Sequence, residues 1–79
     1  MLTKEETVYF ERKLFEYFEQ EYKWALSSFE RKIGEPWEIV HNAQQRMLGC
    51  CNLMQHCGMN YDYIEKLYNE FCEKIEEIY

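Results

Sequence analysis

Four cysteines and two histidines within 79 residues are the first side chains to test for chemistry, because thiolates and imidazoles hold zinc and act as nucleophiles and bases. A zinc site wants Cys-x-x-Cys or His-x-x-x-His spacing, which brings two ligands to one face of a helix. The chain offers the adjacent pair Cys50-Cys51, the adjacent pair His56-Cys57, and Cys72 alone. At about 100° of turn per residue, Cys50 and Cys57 fall on the core face of one helix while His56 points to the opposite side. The cysteines therefore read as small apolar core residues. No cysteine has a histidine three or four residues away on its own face, so a nucleophile and base would have to pair across helices, as Cys72 with His41.

Carboxylates are the next candidates. A di-metal helical site needs Glu-x-x-His inside an apolar stripe, repeated on facing helices. "EIVH" at 38 to 41 matches the spacing once, on the polar side of its helix, and has no second copy. Glu11 and Glu21 alone lie near the edge of an apolar stripe, where a salt bridge across a helix boundary is the expected use. Gly34, Gly49 and Gly58 are isolated, so no glycine-rich phosphate cradle exists. Basic and aromatic residues interleave in "EYKWALSSFERK" at 21 to 32, but Glu21 and Glu30 dilute that patch and it reads as a solvated helix end. No catalytic residue, metal or cofactor is implied.

The totals agree. Nine basic against fifteen acidic residues give a net charge of −6, which gives no support to a phosphate-binding surface and permits steering toward a basic partner. A composition 47% hydrophobic and 18% aromatic is too apolar for a disordered chain. No stretch reaches the length of a membrane span, and the N-terminus lacks the basic-then-apolar pattern of a secretion signal. The expected setting is the cytoplasm, with the four cysteines reduced.

The elements that would position these residues follow from two breaks, "KIGEPW" at 32 to 37 and "CGMNYD" at 57 to 62. Three helices are predicted, over about 4–32, 36–57 and 61–78. The first opens with a Thr3/Glu6 capping box and carries the stripe Leu14, Phe15, Phe18, Tyr22, Ala25, Phe29 and Ile33, with Gly34 as the left-handed residue that stops it and Ser27 and Ser28 as points of bending or fraying. The second begins at Pro36 and carries Val40, Ala43, Met47, Cys50, Met54 and Cys57, widened by Trp37, Leu48 and Cys51, and stops at Gly58. The third has Asn60 as N-cap, a Met59/Ile64 staple, and the stripe Ile64, Tyr68, Phe71, Ile75 and Ile78. Short connections imply antiparallel neighbours: one all-α domain of three helices running up-down-up, so small that homo-oligomerisation is expected to complete it.

The faces left over carry the functional expectation. Opposite the second helix's stripe lie Glu38, His41, Asn42, Gln45, Gly49, Asn52, Leu53 and His56, with Arg46 at the edge, a surface that is neutral apart from Glu38 and Arg46 in a chain that is 30% charged. Gly49 weakens a helix by about 1 kcal/mol relative to alanine at a place where no core packing asks for it. Close approach of a partner explains the glycine, the amides and the exposed Leu53 together. On the first helix, Phe10, Tyr17 and Trp24 recur every seven residues as a second seam, which either packs on the third helix or is shared in a homodimer. Tyr9 and Tyr63 read as single exposed aromatics. The sequence thus predicts a non-enzymatic interaction module that binds itself or a protein partner, with no direct contact to nucleic acid or membrane. Two alternatives stand beside it: an acidic anti-CRISPR-like inhibitor using helix three, and a small-molecule or metal site built by His41, His56 or Arg46 at an oligomer interface. In size and bareness of motif the chain is similar in kind to the small open reading frames of phages and mobile elements, a likeness that transfers no residue role.

Overall fold

The structure is a computed structural model that describes residues 2–78. It is all-helical: α1 spans Lys4–Arg31, α2 Pro36–His56 and α3 Tyr61–Ile78, and among the described residues there is no strand. Each helix packs on the other two, in a body of 43 × 16 × 16 Å.

The helix ends follow their local chemistry. Thr3 Oγ1 accepts from the Glu6 amide at 3.1 Å while Glu6 Oε1 accepts from the Thr3 amide at 2.9 Å, a closed capping box. The Thr3 amide first, and the Thr3 hydroxyl second, hold the Glu6 carboxyl below the ordinary glutamate range. Asn60 Oδ1 accepts from the amides of Asp62 and Tyr63 at the start of α3, and Met59 and Ile64 are both buried as the staple requires. Gly58, at φ +96°, turns the chain out of α2 while the Met59 amide reaches back to the Met54 carbonyl. At the end of α1 the left-handed residue at the cap is Lys32 (φ 57°), not Gly34 as expected. Gly34 also has positive φ (83°) but lies two residues further on, in the connection.

Leu14, Phe18 and Ala25 of α1, Ile39, Ala43, Met47 and Cys51 of α2, and Ile64, Leu67, Phe71 and Ile75 of α3 fill the core. At its centre the rings of Phe18 and Phe71 meet edge to face, 5.6 Å between centroids, and Phe15 meets Phe71 in the same way from the rim. The expected stripes need rotating in places. On α2 the buried line is Ile39, Ala43, Met47 and Cys51, whereas Val40, Cys50 and Met54 are half-buried and Trp37, Leu48 and Cys57 are exposed. Apolar residues occupy more than half the circumference of α2, so spacing alone did not fix which of them face inward. Phe15 of α1 is exposed, Ile33 lies past the end of α1 and is exposed in the connection, and Ser28, expected to bend or fray the helix, is buried against its neighbours. Leu67 joins the α3 stripe as a core residue, with Tyr68 and Ile78 half-buried beside it.

Candidate functional site

α2 carries its neutral residues outward. Asn42, Gln45, Gly49, Asn52, Leu53 and His56 are all exposed, Leu53 with 59% of its surface in water. A Cβ built on Gly49 would meet nothing within 4 Å, so nothing in the chain's own packing requires a glycine there. His41 and His56, fifteen residues apart on one helix, are separated by about 22 Å and cannot share a ligand within one chain. Among the described residues no three His, Cys, Asp or Glu side chains converge as a metal site would need.

Arg46, placed by sequence at the edge of this face, is committed within the chain. Its Nε donates to both Glu21 carboxylate oxygens, at 3.1 and 2.9 Å, and its Nη2 lies 2.9 Å from Oε2. The guanidinium carbon sits 4.4 Å from the centre of the Trp24 ring. A planar cation between a carboxylate fork and an aromatic face has both its charge and its flat side satisfied. Glu21 therefore makes the cross-helix salt bridge its position near the stripe edge suggested.

This clamp decides much about the second seam. Phe10 and Tyr17 are half-buried against the core, and Trp24 lies under Arg46 of α2. Tyr17 lies close to Glu21 and Cys50 as well; burial first, then these two groups, raise its phenol above the ordinary value. Tyr17 and Trp24 of this seam sit against α2, while Phe10 packs against the core. Tyr63, read from sequence as a solitary exposed aromatic, is half-buried, and its hydroxyl donates to the Glu11 carbonyl at 3.4 Å.

The thiols are quiet. Burial is the main cause that raises Cys50, Cys51 and Cys72, Cys51 to about 12, and the Glu76 charge adds to the rise at Cys72. Cys72 neighbours the Tyr68 hydroxyl, itself pushed up to about 12 by burial and by that contact. These groups are protonated at neutral pH and none is activated as a nucleophile. Cys57, placed on the core face by helical spacing, is exposed because it caps α2 after the last helical turn.

Sequence reasoning missed the surface between α2 and α3. Two open clefts of ≈ 410 and ≈ 340 Å³ lie along it, the first beside Trp37, His41 and Gln44, the second beside Leu48, Asn52 and Tyr61. Trp37 is 61% exposed, Tyr61 54% and Leu48 40%. The signal was present: Trp37, Gln44, Leu48 and Gln55 recur along α2 at helical seam spacing, but the sequence reading assigns Trp37 and Leu48 to a widened core stripe and gives Gln44 and Gln55 no role.

No family model matches this chain, and no curated protein or solved structure matches it either. Among the described residues no helix is long and apolar enough to cross a membrane.

Proposed function

We propose that this chain is a non-enzymatic interaction module, a single helical domain that self-associates as a homodimer through the uncharged outer face of α2. One observation carries the reading: an exposed helix face from Asn42 to His56 that is nearly free of charge and holds a glycine with open space around it. A helix face that meets only water is ordinarily furnished with charged residues, and its interior favours alanine over glycine by about 1 kcal/mol. Two α2 helices crossing antiparallel at Gly49 would lay Gln45 of one chain opposite Leu53 of the other, and Asn42 opposite His56, with no like charges opposed. The cross-helix pairs Glu21 with Arg46, Gln44 with Glu76 and Tyr63 with Glu11 support an up-down-up course for the bundle. The cytoplasm is the proposed setting, because four unpaired cysteines suit a reducing compartment.

Gly49→Arg tests the reading. The side chain enters open space, so helicity by circular dichroism stays unchanged, while sedimentation shifts from dimer to monomer. Unchanged association rejects it.

A second reading draws on α3, where Asp62, Glu65, Glu70, Glu73, Glu76 and Glu77 are all exposed against Lys66 and Lys74. An acidic inhibitor could present that surface to the nucleic-acid groove of a host or defence enzyme. Reversing Glu73, Glu76 and Glu77 together to Lys would then abolish binding to the enzyme, and raised salt would weaken it steeply. Binding retained by the triple variant rejects this alternative.

A further inference from the structure

We propose that the groove between α2 and α3 is a docking site for an amphipathic helix from a basic protein partner, a surface that adjoins the outer face of α2 at Asn52 but does not include Gly49. The two clefts lie in line along α2, from Trp37 to Gln55, a run of about 27 Å. That is the length of an eighteen-residue helix, about five turns, laid against the pair. A helix laid in the open groove would turn three helices into four. The clefts centre near residues 40 and 52 of α2, about 18 Å apart, so the occupant needs large apolar side chains about eleven or twelve residues apart. Trp37 meets the first of these, and Leu48 with Tyr61 meets the second.

Charge selects the occupant. Glu76 borders the first cleft and Glu65 the second, and among the described residues neither cleft has a lysine or arginine on its wall. The amides of Gln44, Asn52 and Gln55 complete the rim without adding charge. A helix carrying Lys or Arg beside its apolar stripe is matched there, and the chain's net charge of −6 steers it in. A second copy of this chain is the poorer occupant. The clefts carry Glu76 and Glu65 and no lysine or arginine, so a groove paired with its own copy would set acid against acid.

The test is selection of helical 18-residue peptides on the immobilised full chain, with an apolar stripe fixed and all other positions randomised. Enriched peptides are expected to carry a clear excess of Lys and Arg beside the stripe. Their binding should change the fluorescence of Trp37 in a Trp24→Phe variant and weaken roughly tenfold on raising salt severalfold. Reversal by Glu65→Lys with Glu76→Lys should weaken it at least as much, and Glu65→Gln with Glu76→Gln should do so in part, while Gly49→Arg should leave it intact. The proposal is overturned if no peptides are enriched, if those enriched lack basic residues, or if Trp37 does not respond. Loss of self-association in Leu48→Asp would also overturn it, by showing that a second copy fills the groove.

Discussion

The Arg46 guanidinium lies over the Trp24 ring at 4.4 Å, and Glu21 fixes it there through both carboxylate oxygens. One contact thus joins the middle of α1 to the middle of α2 and pairs the one Lys or Arg of α2, which stays partly exposed, within the chain. It also converts two residues that sequence offered as contact surface, Arg46 and Trp24, into part of the fold.

Removing the cation therefore acts on stability. Arg46→Ala is expected to cost about 1 kcal/mol, since the pair is partly exposed and water screens it. For a domain of this size that is a fall in Tm of roughly 4–8 °C. Arg46→Lys restores little of it, because an ammonium cannot both fork to Glu21 and lie flat on Trp24. Thermal melts of Arg46→Ala, Glu21→Gln and the double variant measure the coupling directly. In a Trp37→Phe background, the emission of Trp24 should change with the first substitution.

Gly49→Ala separates two explanations of the glycine. The added methyl meets nothing within 4 Å in the chain, so the monomer gains roughly 0.8–1 kcal/mol in urea denaturation at high dilution. If α2 approaches a second copy at this point, the same methyl weakens association. A variant that gains stability and loses no affinity would mean that the glycine serves no contact.

The thiols should separate by rate. Cys57 is exposed and reacts first with a disulfide reagent at neutral pH, while Cys51, buried and raised to about 12, reacts last and only through opening of the fold. Because Cys51 holds its proton more tightly folded than unfolded, its contribution to stability is complete below the ordinary thiol range. That contribution is lost as pH climbs toward 12. Stopped-flow thiol titration with single-cysteine variants checks the order, and alkaline denaturation checks the sign.

Glu6 gives the opposite sign. Its carboxyl is lowered by the Thr3 backbone and hydroxyl, so the capping box stabilises α1 above the ordinary glutamate pKa and is lost as pH falls through the lowered value. Glu6→Gln keeps the hydrogen-bonding pattern without the charge. It should flatten this acid-side dependence in amide exchange near Thr3, leaving α3 unaffected.

How far the sequence was legible depended on how local each feature is. The Thr3/Glu6 box, the Asn60 cap, the Met59/Ile64 staple and the Gly58 stop involve residues within five positions, and all four are found. The rotation of α2 is not local: Ile39 and Val40, or Cys50 and Cys51, are equally apolar neighbours, and only packing against both other helices selects Ile39 and Cys51 for burial. Lys32 was missed as the left-handed cap because glycine two residues on was the cheaper candidate. The partner of Arg46 required a distance between helices that spacing within one helix does not contain. The same holds for the α2–α3 groove, whose walls come from two elements.

Light scattering of the full chain over a concentration series tests whether the outer face of α2 binds a second copy of this chain. The mass of two chains, falling to one on dilution, is the expected result. The mass of one chain at every concentration would contradict it.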